Sequence, residues 1–474
     1  MVNWSRSDPE SAIFRFVIPA LGGKTLVRSV PLFTRENIGS YLSRSWSVSW
    51  PLTLIMVFEF LIGLTDVYIA GKVSKEIQAT YGFVIQLYFI FIVIANALTV
   101  GTVSVISRLY TSGDKTELAK AVFSSLLAAA GAGMVLAVAG VLFSPKIINI
   151  LNIPEDLKHF AIPFIEIYAL GLLFHYLLIN CNGILRSCQR IKRSLKTMVL
   201  VCFINIVLNF LLVFHTPLGF RGIAAATASS MFIGSMINLG YVRNLMTDTK
   251  HFSMSMVKRM ISIGWPIGLL QVLWQLSSMV LFLILSALPE NKVEILAALT
   301  TGLRIESAIY LPVFGFNMAN AVIVGNSLGE SKQEEAFRSG IITAGIGVFL
   351  VTMMVVAVIL NARWIISFLS SNEIVIRESV QYLYISMVSE PFMAWGIILG
   401  GGLAGAGDTK SVMMRVALSV WLVRIPLSFV LVVLLGFGPA SVWWSMNFSQ
   451  FLQAFLISKR YLNRGWLLKG KETI

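Results

Sequence analysis

Four residues in the first half of the chain could together hold a small cation. Asp66 lies in LTDVYIAGKVS (64–74), directly after WPLTLIMVFEFLIGL (50–64), a run that only Glu59 interrupts with a charge. An ionised carboxylate is costly in such surroundings without a partner or a task. NIVLNF (205–210) offers Asn205 and Asn209 at i and i+4, on one helical face, and GIAAATASS (222–230) carries Thr227. Counted from the ends of their apolar runs, Asp66, Asn209 and Thr227 share one depth, with Asn205 a turn deeper. A carboxylate, two amides and a hydroxyl make either an oxygen-rich pocket for Na⁺ or a hydrogen-bond network around a protonatable aspartate. Each amide taken singly also suits a duller role, gluing helices together in lipid.

The elements that position them must be membrane helices. The chain has 474 residues, 57% hydrophobic and 13% charged, with a mean hydropathy of +0.80. Apolar runs of bilayer-spanning length recur along it. We read twelve spans at 46–71, 79–107, 121–143, 161–185, 198–214, 222–242, 260–288, 295–328, 340–361, 379–406, 416–436 and 442–457. The predicted fold class is an all-α polytopic membrane protein.

The net charge of +14 suggests nucleic acid only until its distribution is considered. Of the 37 Lys and Arg residues, 27 fall on the side of the N-terminus, 8 on the other, and Arg304 and Arg424 lie inside spans. The positive-inside rule then places both termini in the cytoplasm of an inner-membrane protein, and nucleic acid is not needed as a partner.

The sequence repeats once. SWPLTLI (49–55) returns as GWPIGLL (264–270) at an offset of 215, SGDKTELAKA (112–121) as GESKQEEAFR (329–338), and PLGFRGIAAA (217–226) as LLGFGPASVWW (434–444). Each copy holds six spans, so the two run parallel, a plan that places a binding cavity between halves. The expected organisation is a tail over 1–45, one bundle over 46–246, a linker over 247–259, a second bundle over 260–461 and a tail over 462–474. The repeat is broken at the acids: Leu281 stands in the place of Asp66, and Trp274 in that of Glu59. The task of these acids therefore belongs to the first half alone.

Other intramembrane acids are Glu166, Glu306 and Glu390. Glu59, Glu306 and Glu390 lie near mid-membrane and, with Trp274 and Gln275, are candidates for the wall of a substrate cavity. Glu166 sits near a span end, where it faces water, and the two arginines neutralise nearby acids. Soluble-protein motifs fail: GGKT (22–25) lacks the earlier glycine of a P-loop, and GGGLAG (400–405) ends a span, where small residues permit close packing. Cys181, Cys188 and Cys202 have no metal-ligand spacing, and His175 reads as a buried, hydrogen-bonded histidine. Neither a cofactor nor an enzymatic site is supported.

The proline-led first span, NIVLNFLLVF followed by PLGFRGIAAAT, GNSLGESKQEEA and GAGDTK (405–410) together resemble the multidrug and toxic compound extrusion (MATE) family. The resemblance implies two six-helix bundles about a central cavity and export driven by entry of H⁺ or Na⁺. It gives Asp66 the coupling-ion role, with Asn205, Asn209 and Thr227 around it and a possible Na⁺ at Asp66. Asn209 is an aspartate in some members. Acids that another branch carries in spans seven and ten are replaced here by Trp274 and Met393, with Glu390 one turn before the latter. The expected function is a monomeric antiporter that exports amphiphilic, cationic compounds. A flippase for a lipid-linked precursor is the alternative transporter, and a membrane-embedded enzyme the alternative of another class.

Overall fold

The computed structural model describes residues 35–150, 155–246 and 251–467. The chain divides into two compact units, Met1–Ser40 and Tyr41–Ile474. Of the first, residues 35–40 are described and are helical; GGKT and most of the expected N-terminal tail lie outside the described residues, as do 247–250 of the linker and 468–474 of the C-terminal tail.

Twelve helical elements follow one another, and no strand occurs among the described residues. They are α1 (Arg35–Val73), α2 (Lys75–Ser112), α3 (Lys115–Ile150), α4 (Glu155–Ser187), α5 (Ile191–Phe214), α6 (Arg221–Arg243), α7 (Met254–Ser286), α8 (Lys292–Gly329), α9 (Gln333–Leu369), a broken α10 (Glu373–Ser386 and Glu390–Gly405), α11 (Thr409–Leu434) and α12 (Ala440–Leu462). Lipid offers the backbone no hydrogen bonds, so apolar runs of this length satisfy their own N–H and C=O groups as helices. Among the described residues, ten helices are long and apolar enough to cross a bilayer, and the broken pair of α10 makes an eleventh if it is counted as one span. In the twelfth, α12, apolarity is diluted by Asn447, Gln450 and Gln453, all of which are buried.

The span read as continuous over 379–406 is not. α10 bends by 54° at residues 387–389. Pro391 explains the break: it has no N–H to give the Met387 carbonyl, and its ring crowds that turn. α11 carries a π-helical turn at Val420–Arg424, just before Pro426. Such turns widen a helix locally and recur at functional sites.

The two repeats meet at close quarters through α2. A Cβ on Gly101 would stand 1.9 Å from the Met260 carbonyl oxygen of α7, and one on Gly264 would stand 2.0 Å from that of Ala97. Backbone therefore touches backbone. Farther along α2, Ser104 donates to the Gly405 carbonyl at 3.1 Å, Thr111 to that of Asn326 at 2.8 Å, and Arg108 to that of Ala406. The GAGDTK stretch thus forms a turn against α2, with Gly407 at φ +79° and Asp408 paired to Arg460 at 2.6 Å. GGGLAG packs as its small residues suggest, with Gly401 against the Asn317 carbonyl and Gly405 against that of Ala321.

Candidate functional site: a buried aspartate and its donors

Asp66 is carried by the C-terminal part of α1 and is 2% exposed. Its neighbours come from three other helices. From α5, Asn209 donates from Nδ2 to Asp66 Oδ1 at 2.8 Å, and from α6, Thr227 donates its hydroxyl to Oδ2 at 2.8 Å. From α4, Tyr168 donates to Oδ2 at 3.4 Å. Asn205 stands behind this shell: its Nδ2 donates to the Thr227 hydroxyl at 3.0 Å, and its Oδ1 accepts from Asn209 at 3.2 Å. The four residues marked by their depth in the sequence are therefore one connected group.

The direction of these bonds is chemically informative. Asn205 supplies a proton to the Thr227 oxygen, which leaves the Thr227 proton free to point at Asp66. Every bond to the carboxylate is a donation, an arrangement suited to the ionised form. No arginine or lysine joins the shell among the described residues. Asn209 Oδ1 is buried without a hydrogen-bond partner, an acceptor held in reserve beside the carboxylate. A proton would occupy one carboxylate oxygen; Na⁺ would draw on Asp66, the Thr227 oxygen and Asn209 Oδ1, a donor set of the hard oxygens that alkali ions prefer.

Three aromatic residues in and around the shell carried little signal in the sequence. Tyr168 packs against Tyr88 with ring centroids 5.1 Å apart and against Tyr81 at 6.5 Å, both from α2. Tyrosines are so common in membrane helices that their composition alone marks nothing. Spacing held a trace: Tyr81 and Tyr88 are seven apart, as are Tyr168 and His175, so each pair shares a helical face. His175 is half-buried and hydrogen-bonded at Nδ1 to the Tyr88 hydroxyl, 2.7 Å away.

The candidates for the cavity wall do not form one group. Glu59 and Gln275 are exposed along α1 and α7. Glu59 has the Arg186 guanidinium of α4 within electrostatic reach. Glu306 and Glu390 are 1% and 0% exposed, inside the second repeat. There Tyr382 donates to Glu306 Oε1 at 2.7 Å and Tyr310 to Oε2 at 3.2 Å. Arg424 is buried beside them, with its guanidinium 5.4 Å from the ring centroid of Trp274, whereas Arg304 is exposed. Glu166 is half-buried and accepts from Ser144 at 3.1 Å.

The comparisons agree with this arrangement in fold. A family model described as MatE matches residues 51–211 and again 266–430, beginning each time at the proline that opens the repeat. The "Uncharacterized transporter YisQ" of Bacillus subtilis is 22% identical over 444 residues, which cover 90% of this chain and 95% of its own. The "Probable multidrug resistance protein NorM" of Thermotoga maritima is 23% identical over 409 residues, 82% of this chain and 85% of that one. Among solved structures, the Vibrio cholerae MATE transporter VcmN in its bent form superposes with a TM-score of 0.84 at 18% identity, covering 92% of this chain and 99% of that chain. A MOP superfamily transporter from Pyrococcus furiosus does so with a TM-score of 0.82 at 20% identity, covering 92% and 97%.

Proposed function

Because the chain belongs to the multidrug and toxic compound extrusion (MATE) family of membrane transporters, we propose that it is a secondary antiporter: it exports amphiphilic, cationic compounds in exchange for H⁺ or Na⁺ taken up at Asp66. One observation carries the coupling role, a buried carboxylate surrounded by donors with no fixed cation. Such a group holds a transferable positive charge better than a salt-bridged one does, because nothing in the protein has already neutralised it.

The mechanism follows from the bonds. While Asp66 is ionised, Asn209, Thr227 and Tyr168 hold α1 against α4, α5 and α6. A proton or Na⁺ on the carboxylate weakens those donations and frees α1 from its neighbours. The ion shifts the balance of conformations only by its differential affinity for the two states. Asn205 acts at one remove, since it orients the Thr227 hydroxyl. The substrate class rests on Glu59, an exposed acid within the first span, and on the relatives named for multidrug resistance. Both termini are assigned to the cytoplasm of the inner membrane by charge distribution.

Purified protein in liposomes tests the reading. Efflux of a cationic dye is measured under a pH gradient alone and under a Na⁺ gradient alone, and the gradient that drives it names the ion. Equal efflux without either gradient would overturn antiport.

A further inference from the structure

The second repeat contains a buried group of charges that the Asp66 mechanism does not use. Glu306 of α8, Glu390 of α10 and Arg424 of α11 are 1%, 0% and 4% exposed. Glu306 is satisfied by Tyr382 and Tyr310. Both carboxylate oxygens of Glu390 lack a hydrogen-bond partner, and so does Arg424 Nη2; Arg424 Nε donates to Ser449 at 2.7 Å. The arginine lies within electrostatic reach of both acids yet makes no ion pair within 4.0 Å with either. A purely structural salt bridge, buried this deeply, would close on its hydrogen bonds, because orphaned charged atoms are costly.

Backbone irregularity converges on the same place. Glu390 is the first residue after the break in α10, and Arg424 ends the first of the two π-helical turns of α11, Val420–Arg424 and Val430–Leu434. Ser389, in the break, donates to Asn447 Oδ1 of α12 at 2.6 Å, and Asn447 donates in turn to the Ile385 carbonyl at 2.7 Å. A small crevice of about 50 Å³ opens here, lined by Trp274, Leu281, Tyr310, Arg424 and Gln450 among others. Leu281 is the repeat counterpart of Asp66. The two repeats thus differ: the first holds one acid with no cation beside it, the second two acids with an arginine supplied by the protein.

We propose that Arg424 is the resident cation of the second repeat: its tethered guanidinium takes the place that a free monovalent cation would occupy beside Glu306, Glu390 and the Trp274 ring, and so denies that site to Na⁺ and to cationic substrates. The face of Trp274 that could receive an organic cation already carries the guanidinium. Two carboxylates with no arginine beside them would attract any cation small or apolar enough to enter. Arg424 is in this sense a specificity-determining residue, one that leaves cation uptake to the Asp66 pocket and removes Glu306 and Glu390 from substrate contact.

The test is binding of tetraphenylphosphonium, and separately of Na⁺, to the full-length protein in detergent by titration calorimetry. With Arg424 in place, Glu306→Gln and Glu390→Gln should leave affinity unchanged. Arg424→Met, or Arg424→Gln if the first does not fold, should raise tetraphenylphosphonium affinity about tenfold. That gain should vanish when Glu390→Gln is added, and Arg424→Lys should show none. A tenfold loss on either single Gln variant would overturn the proposal, as would folded Arg424→Met or Arg424→Gln protein with no gain. The outcome is separable from the proposed function: wild type that ignores tetraphenylphosphonium counts against a cationic substrate class, while a gain in the arginine variants still supports the resident cation.

Discussion

Thr227 and Asp66 are joined across α6 and α1 by a 2.8 Å hydrogen bond whose direction is fixed from behind, since Asn205 occupies the hydroxyl oxygen as an acceptor. The Thr227 hydroxyl has a single proton, and it points at the carboxylate.

Asp66→Asn imitates the neutral form permanently. It should abolish gradient-driven efflux in liposomes while substrate still binds in detergent. An Asp66→Asn protein that concentrates substrate against its gradient, driven by either ion, would remove this aspartate from coupling.

The donors should rank by geometry. A hydrogen bond to a charged group contributes roughly 1.5–3 kcal/mol, so Thr227→Val and Asn209→Ala should each reduce coupled efflux by about tenfold or more. Tyr168→Phe, which loses a 3.4 Å contact, should cost less. Initial efflux rates at equal expression give the order, and a Tyr168→Phe defect larger than that of Thr227→Val would contradict it.

Glu59→Gln should weaken export of cationic compounds and spare neutral ones, because it removes an exposed charge from α1. The measurement is KM for a matched cationic and neutral pair. An equal change for both would mean that Glu59 acts through structure.

Gly264→Ala should lower thermal stability by about 1–3 kcal/mol, since its Cβ has only the Ala97 carbonyl to displace. Gly63→Ala is the control, with nothing within 4 Å of the added carbon. Melting temperatures in detergent should fall for the first and hold for the second.

The first repeat's pocket was legible because polar side chains are conspicuous in apolar runs and a helix converts position into depth. Asp66, Asn205, Asn209 and Thr227 all met that condition. Tyr168 did not, because an aromatic ring is ordinary in lipid and its hydroxyl matters only once a partner is known. The grouping of Glu306, Glu390 and Arg424 was legible only in part: each was visible as an intramembrane charge, but their meeting depends on how α8, α10 and α11 pack. Trp274 and Gln275 are adjacent in sequence and diverge by a helical step, one beneath Arg424 and the other exposed. The break in α10 had a sign in Pro391, which the long apolar run around it outweighed.

The contact of α2 with α7 has a mechanical consequence. Where side chains interlock, two helices can shift only by lifting one set of knobs out of the other's holes. At Gly101 and Gly264 the glycines have no side chain, and each lies against a backbone carbonyl of the other helix. Such a surface acts as a bearing: it tolerates small sliding and rotation with little change in packing, and it resists separation. Motion between the repeats would then meet low friction along α2, and the steps that limit its rate would lie elsewhere, in the polar bonds that Ser104, Thr111 and Arg108 make to carbonyls across the same seam.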